Sequence, residues 1–295
     1  MNKVISRIFG GIGNQLFCYA AARRLAVLNR VELVIDDVSG FEYDDMFQRH
    51  FQLDHFNIRS RKASPSERME PFSRIRRYLK RTYSRRRPFE ERTYIQEEGV
   101  NFDGRLLQCK PRGSLYLEGY WQSEDYFKDV EQTIRDDLKI TPPTDSINLT
   151  MGSCIRNSLA VAVHVRFFEA PSEISAQNAL SDYYSRAVAQ METLVPGAHY
   201  FLFSDRPDAA RTRISLPNDR VTLVAHNKGD EHAYADLWLM TQCQHFIIAN
   251  STFSWWGAWL AANPSKKVIA PGYKSTTNVT AWGFKGLLPD EWIKL

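Results

Sequence analysis

Four apolar runs in this chain end at residues suited to work on a charged leaving group. Arg166 follows "LAVAVHV" (Leu159–Val165), with His164 two positions earlier and so on the same side of a strand. Ser204 and Asp205 follow the run Tyr200–Phe203, and Asn250, Ser251 and Thr252 follow Phe246–Ala249 and lead into Phe253. Near the start, Gly10, Gly11, Gly13, Asn14 and Gln15 follow Lys3–Phe9. An arginine presents a planar fork that fits phosphate oxygens. A helix start carrying Ser251 and Thr252 offers free N–H groups and hydroxyls to an anion. Carboxylates at Asp205 and Asp236 suit a ribose hydroxyl or the N–H edge of guanine. Gathered at one place, these groups would hold a nucleotide diphosphate.

Each residue also has a plainer use, and the sequence leaves both open. Gly10–Gly13 suits a tight turn between strand and helix. The dinucleotide fingerprint is not met, because its third glycine position is Leu16, and no Gly-Lys-Ser/Thr follows to make a phosphate loop. Arg166 could pair with Glu169 or Glu173, Asp205 could serve a turn, and Ser251 or Thr252 could cap a helix. His164 fits a core histidine, and Trp255, Trp256 and Trp259 fit a core. The chain contains no Asp-x-Asp and no His/Cys cluster. The expectation is therefore no cofactor and no metal, with charge stabilisation left to Arg166 and the helix start.

The elements that must position these residues follow an α/β rhythm. Lys3–Phe9 reads as a strand, Asn14–Asn29 as a helix with Phe17, Ala21, Leu25 and Leu28 on one face, and Val31–Ile35 as a second strand. Gly40–Glu98 reads as irregular, polar and basic, with Ser114–Gln122 a strand and Glu124–Leu138 a helix beyond it. The breaker-rich "ITPPTDS" (Ile140–Ser146) reads as a linker. Beyond it, strands at Leu159–Val165, Tyr200–Phe203, Arg220–Ala225, Phe246–Ala249 and Lys267–Ala270 alternate with helices at Asp182–Leu194, Asp230–Cys243 and Phe253–Ala262. That is the pattern of a doubly wound parallel sheet, whose ligands collect beyond the carboxyl ends of the strands. The expected domains are 1–145, with a basic insertion at about 60–95, and 146–295, with a cleft between the halves.

Composition narrows the class. The 295 residues are 43% hydrophobic and 24% charged with a formal charge of +4, an ordinary globular balance that gives no argument for nucleic acid. Cys18, Cys109, Cys154 and Cys243 lack metal or redox spacing and read as free thiols of a reducing compartment. The start has no apolar signal region, and no run reaches the length of a membrane span. The expected location is the cytoplasm. Nine Lys/Arg stand between Ser73 and Arg92 against Glu90 and Glu91 alone, with Ile75, Tyr78, Leu79 and Tyr83 at helical spacing. This basic amphipathic helix reads as a solvated face or linker, or as a contact for an anionic membrane surface that would make the protein peripheral on the inner face of a plasma membrane.

The blocks "GGIGNQLFCYAAARRLA", "VAVHVR", "FSDRPDAA" and "DLWLMTQCQHFIIANSTFSWWGAWLA" together resemble the bacterial α-1,2-fucosyltransferases of glycosyltransferase family 11, in the family's order over about Lys3–Gly272. The resemblance implies a GT-B-like fold, two Rossmann-type domains facing a cleft. It implies transfer of L-fucose from GDP-β-L-fucose, with inversion and without metal, to the 2-hydroxyl of a galactose in a surface glycan or lipid-linked oligosaccharide. By similarity Arg166 would contact the β-phosphate and His164 would lie near the nucleotide. Asp205 and Asp236 would hold ribose and guanine, Ser251 and Thr252 would cap the phosphates in the corner from Asn250 to Phe253, and Asn14 would face the fucose and diphosphate, with Gly11, Gly13 and Gln15 of the same turn brought against the reacting end. The family motif His-x-Arg-Arg-Gly-Asp is here His164-Val165-Arg166-Phe167-Phe168-Glu169. The departure leaves Glu169 and Glu173 as candidates for the base that takes the acceptor's proton. The alternatives are another GDP-sugar or linkage, or a non-catalytic protein that binds GDP or a glycan.

Overall fold

In the computed structural model, which describes residues 2–42, 48–167, 179, 181–276 and 281–295, the chain divides into two units. The first comprises Met1–Lys139 with Lys285–Leu287. It opens with strand β1 (Lys3–Arg7), helix α1 (Ile12–Asn29) and strand β2 (Glu32–Asp36). Short strand β3 (Arg61–Lys62), helix α2 (Ser73–Arg85), β4 (Tyr94–Gln96), β5 (Ser114–Glu118) and helix α3 (Glu131–Asp137) follow. The five strands form one parallel sheet in the order β3-β2-β1-β5-β4. The stretch expected to be irregular, residues 40–98, thus supplies two of the five strands. Both are short, at two and three residues, and lie in polar, basic surroundings without an apolar run to mark them. The helix expected over Glu124–Leu138 is instead two 3-10 turns, Glu124–Tyr126 and Lys128–Val130, ahead of α3.

Helix α1 is buried on nearly every side, because Ala20-Ala21-Ala22 lets neighbouring elements approach closely. Its one deeply buried charge, Arg24, donates to the Asp129 carboxylate and to the carbonyl of Leu107 at 2.9 Å. Arg30 ends the helix in the left-handed region at φ 53°, its N–H returned to the carbonyls of Ala26 and Val27. At the carboxyl end of β2, the buried Asp36 accepts from Ser39 N–H at 2.9 Å, from the Ser39 hydroxyl at 2.7 Å and from the Tyr116 hydroxyl of β5. Those bonds fasten strand ends on both sides of β1.

The second unit, Ile140–Phe284 with Leu288–Leu295, begins with a helix absent from the expectation, α4 (Ser146–Arg156). Asp145 caps it by accepting from Asn148 N–H at 2.9 Å. Then come β6 (Ala160–Val165), α5 (Ser181–Leu194), β7 (His199–Ser204), α6 (Pro207–Arg213) and β8 (Val221–Val224). They are followed by α7 (Ala233–Thr241), β9 (His245–Ile247), α8 (Thr252–Leu260), β10 (Val268–Ala270), a small antiparallel pair β11 (Ser275–Thr276) and β12 (Ala281–Trp282), and β13 (Ile293–Lys294). A six-stranded parallel sheet runs β13-β10-β9-β6-β7-β8. Strand β6 is buried at all six positions, which is why its sequence is continuously apolar rather than alternating. Helix α7 is shorter than the expected Asp230–Cys243, since Asp230–His232 forms a 3-10 turn.

Two tyrosines in the first turn of α5 tie the carboxyl ends of three strands together. The Tyr183 hydroxyl lies 2.7 Å from the carbonyl of Ile248 and 3.0 Å from that of Ile269, and the Tyr184 hydroxyl donates to the carbonyl of His164 at 3.0 Å. Replacing Tyr183 by Phe keeps the ring and strands those buried carbonyls. The expected cost in denaturant unfolding is about 1–3 kcal/mol with an unchanged m-value; a cost within error of zero would show that the hydroxyl does not fasten the strand ends.

Candidate functional site

The register of β6 against β7 pairs His164 with Phe203 and Val165 with Ser204, so the next residues, Arg166 and Asp205, come out side by side at the carboxyl edge. Arg166 Nη1 lies 3.1 Å from Asp205 Oδ2, each side chain about 25% exposed. The other oxygen of Asp205 accepts the Phe167 N–H at 3.0 Å. Asp205 therefore steers the guanidinium and the backbone that carries it. In this structure its oxygens face Arg166 and Phe167. Among the described residues Arg166 pairs with Asp205, on the adjacent strand end.

On the other flank, β9 pairs Val163 with Ile247, and the chain leaving β9 turns through Ala249 and Asn250 into α8. Ser251 stands at the N-cap position in extended conformation, φ −142° and ψ 129°, and makes no side-chain cap bond. The first turn of α8 thus has no hydroxyl cap from Ser251, and its N–H groups carry the positive end of the helix dipole. Phe253 of that turn tilts against the His164 ring with centroids 5.3 Å apart. His164, Arg166, Asp205 and the 250–253 corner accordingly form one cluster around the ends of three neighbouring strands.

His164 is 4% exposed, and its Nδ1 has no hydrogen-bond partner among the described residues. Burial, and secondarily the Arg166 charge, push its pKa down to about 3, so the imidazole is neutral at physiological pH. It is a neutral ring close to the Arg166 charge and packed against Phe253, as the core-histidine reading has it. Trp255, Trp256 and Trp259 are buried among themselves, with ring centroids 5.0 to 6.1 Å apart, and form core beneath α8. Phe167 is buried too, with the Arg213 guanidinium 5.3 Å from its ring. Phe168, Glu169 and Glu173 lie outside the described residues.

Asp236 sits elsewhere, in the first turn of α7. Its Oδ1 accepts from Asn227 Nδ2 at 2.8 Å, and Asn227 in turn meets the Asn148 side chain at 2.9 and 3.0 Å. His226 Nε2 lies 2.9 Å from Asn148 Oδ1, so a polar cluster spans the start of α4, the loop after β8 and α7. Burial lifts the Asp236 pKa to about 7, which makes this carboxyl both a donor and an acceptor near neutral pH. Neither Asn148 nor His226 carried a signal beyond its side-chain type; a polar asparagine after a helix cap is common on surfaces, and here it is 3% exposed.

In the first unit the glycine turn is packed by its own neighbours. Gly10 has φ 77°, and a Cβ there would meet Asn14 Nδ2 at 3.0 Å and the Tyr120 hydroxyl at 3.1 Å. A Cβ on Gly11 would meet the Arg49 guanidinium at 3.8 Å. Gly13 is buried in the first turn of α1. Gln15 is fully buried: its Nε2 donates to the carbonyls of Gly10 (2.9 Å) and His50 (2.8 Å), and its Oε1 accepts from Gln52 N–H (2.9 Å). Gln15 is therefore a brace between the turn and residues 50–52, which corrects its assignment as a ligand contact. Asn14 is less enclosed, its Oδ1 accepting from Gln122 Nε2 at 2.9 Å.

Glu97, just past β4, was missed because it falls in the stretch read as irregular. Its carboxyl accepts the N–H groups of Tyr120 (2.7 Å) and Trp121 (2.9 Å), holding Trp121 in the left-handed region at φ 57°. That turn presents Tyr120, stacked on Phe9 at 4.5 Å, and Gln122 to the glycine turn. Burial raises the Glu97 pKa to about 7 against the two backbone donors. Among the described residues no three His, Cys, Asp or Glu side chains come together as a metal site.

Both raised carboxyls bind a proton more readily in the folded chain than in the unfolded one, so each contributes stability that is lost as pH rises through the folded value. The Glu97→Gln variant cannot titrate there. Its melting temperature relative to wild type is expected to shift in its favour as pH rises from 4.5 to about 7 and to stay level above. Asp236→Asn should behave alike from 3.8 to about 7. A pH-independent difference in thermal melts would contradict the assignment.

The chain matches Glycosyl transferase family 11 over residues 4–293. It is 27% identical over 316 residues to an alpha-1,2-colitosyltransferase of Escherichia coli, covering 100% of this chain and 99% of that protein. It is 29% identical over 286 residues to the O-antigen biosynthesis glycosyltransferase WbnK of Escherichia coli, covering 90% and 93%. Among solved structures, the α-1,6-fucosyltransferase NodZ soaked with GDP-fucose superposes with a TM-score of 0.51 at 18% identity, covering 88% of this chain and 92% of that one. A GDP-bound mutant of Arabidopsis thaliana FUT1 superposes with a TM-score of 0.55 at 13% identity, covering 98% and 74%. At those identities the likeness is one of fold: two parallel α/β units of the GT-B kind. By sequence, this protein belongs to glycosyl transferase family 11.

Proposed function

We propose that this transferase moves L-fucose from GDP-β-L-fucose to the 2-hydroxyl of a terminal galactose in a surface glycan or lipid-linked oligosaccharide, with inversion and without a metal. The observation that carries the reading is the pairing of Arg166, fixed by Asp205, with the start of α8 at adjoining strand ends of a family 11 chain. The acceptor oxygen forms its bond to the sugar C1 as the bond from C1 to the β-phosphate oxygen breaks. The electron pair leaves with GDP, and the acceptor proton passes to a base. Charge grows on the departing diphosphate, and a guanidinium with oriented N–H groups meets it without reorganising. The neutral His164 beneath leaves the arginine as the cation and avoids repulsion with it. Asp236, titrating near neutrality, suits the N–H edge of guanine in its ionised form.

Two relatives support the linkage and the class of glycan in this reading. The matched colitosyltransferase carries the α-1,2 linkage in its name, and the other relative acts in O-antigen biosynthesis. Colitose is fucose without its 3-hydroxyl, so colitosyl transfer is the second reading, and the buried Phe167 in place of the motif's second arginine removes a charge from the neighbourhood.

Incubated with GDP-fucose and a terminal galactoside, the protein is expected to release GDP at the same rate with and without EDTA. Arg166→Ala should lower kcat by about 10²–10³-fold, and Arg166→Lys should recover only part of it because the fork is lost. GDP bound but never released from GDP-fucose across a panel of galactosides would instead favour a binding protein. Loss of activity in EDTA would sink the metal-free mechanism, and preference for a colitosyl donor would select the second reading.

Glu169 and Glu173 are the proposed bases. Glu169→Gln and Glu173→Gln should separate them: the one that takes the proton is expected to lose about 10²–10⁴-fold in kcat, together with the acidic limb of the pH–rate profile. If both variants keep the wild-type profile, the proton goes elsewhere.

A further inference from the structure

Helix α2 packs on β4 with the wrong side out for a globular protein. Its buried residues are Ser73, Arg77 and Ser84, and Arg77 lies near enough to Tyr94 of β4 for its charge to be felt there. The apolar side chains face away: Phe72 is 72% exposed, Ile75 59%, Tyr78 57%, Leu79 60% and Tyr83 57%. They are five of the twelve large apolar side chains exposed among the described residues, so the exposure is concentrated rather than scattered. At about 100° per residue these five fall within about 140° of arc, opposite the buried serines and Arg77. Arg74, Arg81 and Arg85 line one edge of the stripe, Arg76 and Lys80 the other, and α2 contains no acidic residue.

We infer that this stripe docks on an anionic phospholipid bilayer. The surface is convex and ridge-like, suited to lie in a plane of lipid with its apolar side chains among the acyl chains. The flanking arginines can reach outward to headgroup phosphates along their aliphatic stems, and Tyr78 and Tyr83 place hydroxyls at the level where such rings collect. Arg87 stacks 4.8 Å from the Tyr83 ring and its guanidinium bonds the Tyr83 hydroxyl at 2.7 Å, extending the basic edge past the helix end. A second copy of the chain is a poor occupant, because a two-fold contact would set each arginine edge against its like. No helix of the described residues is long and apolar enough to cross a membrane, so the contact is peripheral. It is independent of the transfer reaction, since it involves none of the site residues.

The test is sedimentation of the full chain with vesicles of phosphatidylcholine, with and without about one-third phosphatidylglycerol. Binding is expected to the anionic vesicles alone and to weaken with salt. Neutralising Arg74 or Arg76 to Gln should lower the partition coefficient about fivefold each at low salt. Ile75→Ser with Leu79→Ser should lower it at least about tenfold. Those side chains already face water, so the melting temperature and GDP binding of each variant should match wild type, which separates loss of docking from loss of fold. No sedimentation with anionic vesicles would overturn the inference. So would an Ile75→Ser/Leu79→Ser variant that binds like wild type, or a concentration-dependent dimer that this variant abolishes.

Discussion

The candidate site depends on one ion pair, Arg166 with Asp205, at the edge of a parallel sheet. A guanidinium at the end of a fully buried strand has few places to point, and the next strand's end offers the carboxylate that decides. The pair is about a quarter exposed, so it is neither sealed in the core nor a flexible surface contact. Because the same carboxylate takes the Phe167 N–H, orientation of side chain and backbone is coupled. The register of β6 with β7 makes this geometry automatic: slip it by one residue and Arg166 loses its partner.

Around the pair, burial sets protonation states. His164 is enclosed beside a cation and stays neutral, while the Asp236 carboxyl is lifted to the point where a ligand's donors could draw its proton off. The first turn of α8 lacks a hydroxyl cap from Ser251, whereas α4 is closed by Asp145. The two helix starts thus differ in how they are capped. Tyr183 and Tyr184 hold the surrounding strand ends through their hydroxyls, so the cluster rests on a frame that local unfolding cannot easily loosen.

In the first unit the glycine turn is packed against its own neighbours. Gly10 makes room for the chain's own Asn14 and Tyr120, and Gln15 is consumed in bracing the turn. Glu97 and the strained Trp121 backbone hold the facing loop. On the far strand of the same sheet, α2 turns its serines and one arginine inward and leaves its apolar ridge in water, a local conflict with folding that a bilayer contact resolves.

The sequence by itself determined the α/β rhythm and five of the six parallel strands of the second unit's large sheet, because apolar strands and helix periods are local patterns. Only the tertiary structure decided that Arg166 answers to Asp205, that Gln15 is a brace and that His164 is neutral, since each depends on which strand end lies next door. Strands β3 and β4 were invisible because, unlike the similarly short β9 and β10, they stand in a polar, basic stretch with no apolar run; their neighbours in the sheet define them. The amphipathicity of α2 was legible from spacing alone, but the direction it faces was not: an amphipathic pattern says that two faces differ, and packing against β4 says which one is inside.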